Sequence, residues 1–137
     1  MPNRMLGPLA AIICLAILGC RESPPPLAPP DQTYTVLARL VAKPAADTYL
    51  QMHHAAIPEF RSQAGQVVGM KEMVMEFAEL TADASAAVAP LAPGDGVEIT
   101  FEVRWKSDPR MLVTRVRKLE PGAELGLKKS LSDSDQK

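Results

Sequence analysis

The chain has 137 residues, 47% of them hydrophobic and 23% charged, which suits one small domain and no more. Its formal net charge of −1 argues against a nucleic-acid-binding surface, which is normally basic. Aromatic residues make up only 4%, so side chains on which nucleic-acid bases or sugars could stack are scarce. The two cysteines, Cys14 and Cys20, both lie near the N-terminus and provide neither a disulfide framework nor a cysteine-based zinc site.

Residues 1–19 are predicted to be an export signal. The apolar run over residues 5–18 is shorter than the roughly 20 residues of a membrane-spanning helix. It ends in Ile17-Leu18-Gly19-Cys20, which resembles the lipobox of bacterial lipoproteins. The resemblance implies cleavage before Cys20, lipidation of its thiol and anchoring on the periplasmic side of a bacterial membrane, and Arg21 favours the outer membrane. An ordinary secretory signal with a chance cysteine is the alternative.

Two polar segments flank the predicted domain, which spans residues 34–120. The first comprises residues 20–33 and contains five prolines. Because proline stiffens the chain towards polyproline II, we expect a semi-rigid tether between the membrane and the domain. The second comprises residues 121–137 and is predicted to be a polar, disordered tail.

The domain itself is predicted to be mainly β. Residues 97–105 alternate apolar and polar side chains, which is typical of a half-buried strand. The alanine-rich stretch Thr81–Ala89 predicts one short helix, capped by Thr81. Five strands with one helix favour a small OB-type barrel, because closure removes exposed sheet edges, and a small sandwich is the alternative. The other four predicted strands are 34–43, 48–54, 73–80 and 112–119.

Motifs of the common enzyme classes do not occur in this sequence. It has no phosphate-binding loop, nucleophile elbow or metalloprotease helix motif. If Cys20 is lipidated, the mature chain has no free thiol. The two histidines, His53 and His54, are adjacent and do not readily supply separate acid and base groups. The sequence therefore predicts a protein that is not an enzyme.

Methionines are concentrated in one place: Met70, Met73 and Met75 account for three of the seven. On a strand, Met73 and Met75 point to the same face. Thioether sulfur combined with imidazole favours Cu(I) or a similar soft ion over zinc, calcium or magnesium. The alternative is that these methionines fill the core, as methionines commonly do.

Strand parity separates the two histidines. On the predicted strand 48–54, His54 shares a face with Leu50 and Met52, whereas His53 lies on the other face. If the two apolar residues face the core, so does His54, and His53 faces solvent. A buried histidine is usually a hydrogen-bonded core residue, but its place beside the methionine pair favours a role as a metal ligand.

Three segments in order resemble the CusF-type periplasmic copper-binding domain. They are His53–Pro58, Met70–Phe77 and Leu91–Asp95. They match the family's histidine followed by Ile-Pro, its Met-x-x-Met-Thr-Met-x-Phe pattern, and its Leu-x-Pro-Gly-Asp before a strand. The resemblance implies a five-stranded OB-type barrel that binds Cu(I), and sometimes Ag(I), through one histidine and two methionines at one end.

Carried over residue by residue, the implied ligands are His54, Met73 and Met75. In efflux-system members of the family, a tryptophan covers the metal through a cation–π contact. This chain has Met70 at the corresponding position, and the resemblance implies that Met70 is either a further sulfur ligand or a lid over the metal. The sequence departs from the family at Val74, where a threonine is usual, and in the longer loop 59–69.

The resemblance implies a membrane-anchored protein that carries or sequesters copper. Its expected partner is a copper transporter, an efflux component or an oxidase-assembly protein, and the chain itself is expected to be a monomer. The alternative is a lipoprotein whose OB-type barrel binds a non-metal ligand or is structural, since fold alone does not determine function.

Overall fold

The computed structural model describes residues 28–128. The mainly β class and the short helix predicted from the sequence are confirmed. The predicted signal peptide, Cys20 and residues 21–27 of the tether lie outside the described residues, as do residues 129–137. In the described part, no helix is long and apolar enough to cross a membrane. The elements are β1 (Gln32–Ala42), β2 (Leu50–His54), β3 (Met73–Phe77), β4 (Glu79–Leu80), α1 (Ala82–Val88), β5 (Gly96–Val103) and β6 (Met111–Lys118).

One curled sheet forms a half-barrel with the strand order β3-β2-β1-β5-β6-β4. Its strands pair antiparallel except for β4 and β6, which are parallel. The strands β3 and β4 lie at opposite edges of this order, yet only Ala78 separates them in the chain. The sheet must therefore curl until its two edges approach each other, and β3 does contact β6.

The number of strands differs from the prediction. The predicted strand 73–80 is interrupted at Ala78, so that β3 pairs with β2 while the two-residue β4 pairs with β6. Six strands therefore stand where five were predicted. The physical reason is that one continuous stretch serves two different partner strands, and sequence periodicity carries no information about which partner each half meets.

The core lies on the concave face of the sheet, and strand alternation fills it. Every second residue of β5 is buried, and the same holds over most of β1. Successive side chains on a strand point to opposite faces, so one alternating sequence supplies both a core face and an outer face. Fully burying each large apolar side chain contributes roughly 1.5–3 kcal/mol. The inward residues of these two strands are Tyr34, Val36, Ala38, Leu40, Val97, Ile99, Phe101 and Val103.

The helix α1 confirms the predicted helix and its cap. The side chain of Thr81 accepts a hydrogen bond from the Ala84 N–H at 3.2 Å, which satisfies one of the free donors at the helix start. The Thr81 hydroxyl also donates to the carbonyl of Thr114 on β6 at 3.1 Å. Ala84 and Val88, one turn apart, bury the inner side of the helix.

Residues 121–128, named here the C-terminal strap, lie against the domain although they belong to the predicted disordered tail. Leu125 is only 7% exposed and packs over Gly96 on the outer face of β5. The backbone N–H of Lys128 donates to both carboxylate oxygens of Glu72, at 2.9 and 3.1 Å. The polar composition of the tail predicted disorder, but this one buried leucine and the carboxylate at the far end hold the segment in place.

Candidate metal centre

The strands β2 and β3 bring the candidate ligands onto one face. In their antiparallel pairing, His54 lies opposite Met73, and Met52 lies opposite Met75. Directly opposite residues of two paired strands point to the same side of a sheet. Since His54 and Met52 are both fully buried, this side is the inner face. The predicted inward orientation of His54 is therefore confirmed.

His54 is oriented by a backbone carbonyl. Its Nδ1 lies 2.7 Å from the carbonyl oxygen of Ala55. Because a carbonyl can only accept, Nδ1 must carry the hydrogen and donate it, which leaves the lone pair of the neutral ring on Nε2. Histidines that bind metals commonly have their other ring nitrogen fixed in this way.

The second ring nitrogen of His54 is unusual. His54 is 0% exposed, and its Nε2 has no hydrogen-bond partner among residues 28–128. Leaving a buried polar atom unpaired destabilises a fold by about 1–3 kcal/mol, and such atoms are few in native proteins. The site therefore presents a buried lone pair on a ring whose orientation is already fixed.

The methionines on this face of the strand pair differ in their exposure to solvent. Met73 is 47% exposed, Met75 is half-buried and Met52 is fully buried. For directly opposite residues, Cβ atoms are about 4.5–5.5 Å apart, and diagonal neighbours are about 7–8 Å apart, which is within reach of long side chains. Met73 is the direct neighbour of His54, and Met75 is a diagonal one. Met52 was not among the predicted ligands, although strand parity places it on the same face as His54.

The longer loop 59–69 proves to be an extension of the β2–β3 hairpin. Ile57 and Met70 exchange two backbone hydrogen bonds of 2.8 and 2.9 Å, in the same register that pairs His54 with Met73. Phe60 is buried, and its ring stacks on Tyr34 with centroids 5.1 Å apart. The extension thus packs onto the barrel beyond the histidine.

Met70 lies at the base of this extension. Its side chain is half-buried and packs against the core. Met70 lies three residues before Met73, where β3 begins. It is therefore outside the regular β2–β3 pairing and is joined to Ile57 by an isolated β-bridge. Its backbone is fixed by hydrogen bonds to Ile57, so Met70 lies next to the strand pair that carries the other candidates but outside it.

On the outer face, Glu72 joins three segments of the chain. It accepts the backbone N–H of Lys128 and lies 2.9 Å from His53 Nε2. The hydrogen bond from Lys128 is the main reason that the pKa of Glu72 lies below its usual value, and His53 adds to the effect. His53 lies on the outer face as expected, but its side chain is only 18% exposed because Glu72 covers it. No sequence motif predicts this contact, because it depends on how the C-terminal strap packs against β3.

Elsewhere in the described chain, two features bear on ligand binding. Within residues 28–128, no three His, Cys, Asp or Glu side chains form a group that could hold a metal ion. A cleft of about 690 Å³ lies between β3 and the β5–β6 connection, lined by Trp105 and Met111 among others. Its charged lining residues are two acids and two bases, so it does not select a ligand by charge; these are Glu76, Asp108, Lys106 and Arg110.

Comparison with known proteins adds no relative. No family model matches the chain, and neither a curated protein nor a solved structure does. The resemblance to CusF-type domains therefore stays a prediction that rests on three sequence segments. The fold and the geometry of the site stand on the structure alone.

Proposed function

We propose that this domain binds Cu(I), and Ag(I) by the same chemistry, through His54 Nε2 and the thioether sulfurs of Met73 and Met75. The observation that carries the proposal is the buried, unpaired Nε2, whose ring is fixed through Nδ1 on the sheet face that also carries both methionines. A soft ion would supply the partner that this nitrogen lacks. The resemblance to CusF-type domains supports the same three residues.

The charge of the ligand set favours a monovalent ion. All three proposed ligands are uncharged, and carboxylates or thiolates, which would offset the charge of a divalent ion in an apolar site, are absent from this set. Glu72 is the acid next to Met73 in the chain, but its carboxylate is held on the outer face by His53 and Lys128. Soft thioethers and a neutral imidazole suit Cu(I), which accepts low coordination numbers.

The different exposure of the proposed ligands would favour transfer of the ion to another protein. Met73 is nearly half exposed, whereas the imidazole is buried. A donor group from a partner could therefore replace the Met73 sulfur first, while His54 and Met75 still hold the ion. We propose that the domain carries or sequesters copper on the periplasmic side of a membrane and exchanges it with a transporter, an efflux component or an oxidase-assembly protein.

The test is competition for Cu(I) between the protein and a chromophoric Cu(I) chelator. The full chain is used in a Cys14→Ser/Cys20→Ser background, so that no thiol competes for the ion. We expect Met73→Leu/Met75→Leu to weaken binding about 100-fold or more, a loss of about 2.8 kcal/mol, with His54→Ala at least as severe. Leucine replaces methionine at similar volume, so the fold should persist.

Met111→Leu on β6 is the matched control and should leave the affinity unchanged. Thermal unfolding of each metal-free variant checks that a loss of binding is not a loss of fold. Equal affinities in the wild-type chain and in the ligand variants would refute the proposal. Tighter binding of zinc than of copper would also contradict it and would favour the non-metal or structural alternative.

A further inference from the structure

The regular pairing of β2 with β3 stops at the row that holds two of the proposed ligands. His54 is the last residue of β2 and Met73 is the first of β3, and the two lie directly opposite each other. The pairing resumes at the isolated bridge between Ile57 and Met70. The ends of a strand pair open more readily than its middle, because fewer contacts hold them. The Met73 side chain therefore starts from a point of the backbone that the strand pair alone holds weakly.

A carboxylate on the outer face holds this point. Glu72 immediately precedes β3, where the chain bends between the isolated bridge and the strand. Its carboxylate lies 2.9 Å from Nε2 of His53 on β2 and accepts the backbone N–H of Lys128 at 2.9 Å. Because a carboxylate only accepts, His53 Nε2 carries the hydrogen and donates it. One side chain thus joins the start of β3 both to β2 and to the C-terminal strap.

The two partners of this carboxylate are themselves held in place. His53 lies between β1 and β3, where it pairs with Arg39 on one side and Val74 on the other. The strap is held by Leu125, which is buried. The Glu72 side chain is only 17% exposed, and hydrogen bonds to an ionised group are stronger than those between neutral groups. Glu72 is therefore a fixed link between three segments rather than a freely solvated acid.

We propose that Glu72 is a positioning residue for the metal centre, which sets the place of the Met73 thioether relative to His54. Successive side chains on a strand point to opposite faces, so Glu72 acts from the outer face while Met73 belongs to the inner one. With the carboxylate bonded to both partners, the Met73 backbone is held on the row of His54. The consequence for metal binding rests on the proposed function, whereas the link itself does not require a metal.

Met73 depends on such a link more than the other proposed ligands do. It is 47% exposed, whereas His54 is fully buried and Met75 is half-buried within the regular pairing. Packing restricts the last two, but a half-exposed methionine with three rotatable bonds keeps much of its freedom. Holding the Met73 backbone leaves less freedom to lose when the sulfur binds an ion, which is how preorganisation raises affinity.

The experiment follows the methyl groups of the methionines by NMR while Ag(I) is added to the full chain in the Cys14→Ser/Cys20→Ser background. Ag(I) is a soft, diamagnetic ion, so the methyl resonance of a methionine shifts when its sulfur binds the ion. In the wild-type sequence, we expect the methyl groups of Met73 and Met75 to shift. Glu72→Ala should largely abolish the Met73 shift, retain the Met75 shift and weaken binding about 10-fold, as is typical when a group that orients a metal ligand is lost.

Glu76→Ala is the matched control. Glu76 is also an acid on the outer face of β3 and accepts a hydrogen bond from Gln51 at 2.9 Å, but it lies within the regular pairing. Its replacement should leave the Met73 shift and the affinity unchanged. Glu72→Gln should lose less than Glu72→Ala, because its amide oxygen can still accept a hydrogen bond. In the metal-free chain, hydrogen exchange of the Met73 amide should be faster in Glu72→Ala than in Glu76→Ala.

An unchanged Met73 shift and an unchanged affinity in Glu72→Ala would overturn the inference. An equal loss in Glu76→Ala would also overturn it, because the effect would then be a general weakening of the sheet. His53→Ala, which removes one of the two partners, is a second variant and should reduce the Met73 shift in the same direction. If no methionine of the wild-type sequence responded to Ag(I), the proposed function would fail. Faster exchange at Met73 in metal-free Glu72→Ala would still show that Glu72 holds the start of β3.

Discussion

His54 shows how far strand parity goes at the scale of a single residue. Parity predicted that it faces inward with Leu50 and Met52, and all three are fully buried. Parity could not predict which ring nitrogen is free, because that depends on the Ala55 carbonyl and on the side-chain rotamer. The unpaired Nε2 is thus visible only in three dimensions, although it carries the proposed chemistry.

Met70 provides a prediction at this scale. Met70→Leu should weaken Cu(I) binding clearly less than Met73→Leu does, because Met70 lies outside the regular strand pair and packs its half-buried side chain against the core. The same chelator competition measures both variants, and Met111→Leu again serves as the control. A loss as large as that of Met73→Leu would mean that Met70 is a full ligand of the ion rather than a neighbour or a lid.

At the scale of elements, alternation and caps were predictable, whereas choices of partner strand were not. The alternation of residues 97–105 correctly predicted β5, and Thr81 correctly predicted the start of α1. The split of the predicted strand 73–80 and the hairpin extension through Ile57 and Met70 depend on which segments meet in space. Hydrophobic pattern decides the face of a strand, but long-range pairing decides its neighbour.

The turn before β5 carries a pH-dependent contribution to stability. The carboxylate of Asp95 accepts the Ala92 N–H at 3.0 Å and lies 3.2 Å from Lys118 Nζ. The Ala92 hydrogen bond, helped by Lys118, lowers the pKa of Asp95 below its usual value of 3.8. A group whose folded-state pKa is depressed contributes stability above its unfolded pKa, and this contribution is lost as pH falls through the folded value.

We therefore expect Asp95→Asn to lower the free energy of unfolding at pH 7 and to have a smaller effect at pH 3, because this contribution is progressively lost below the usual aspartate pKa of 3.8. Urea unfolding at both pH values measures the difference. Asp47→Asn, at an exposed turn, is the control and should change little at either pH. A destabilisation of equal size at both pH values would mean that the carboxylate charge is not the stabilising feature.

At the scale of the whole molecule, two segments outside the regular strands pack near the β2–β3 pair that carries the candidate ligands. The hairpin extension packs Phe60 onto Tyr34 beyond His54, and the C-terminal strap reaches Glu72 beside Met73. The comparison with the CusF-type pattern showed only that loop 59–69 is longer than usual, and composition, which averages over a segment, suggested a disordered tail. A few buried residues, Phe60 and Leu125 among them, decide whether such a segment folds onto the domain.

The proposed position of this domain at a membrane depends on Cys20, and it provides the prediction for the molecule as a whole. Cys20→Ser should move the chain from the membrane fraction to the soluble periplasmic fraction, since several acyl chains anchor stably at about 0.8 kcal/mol per buried CH₂ and their loss leaves no comparable attachment. Cys14→Ser is the matched control, because Cys14 lies in the predicted cleaved segment and should have no effect on fractionation. Intact-mass analysis of the detergent-extracted protein should show cleavage before Cys20 and added acyl chains. A Cys20→Ser chain that stays in the membrane fraction, or a mature wild-type chain without lipid, would contradict the anchor.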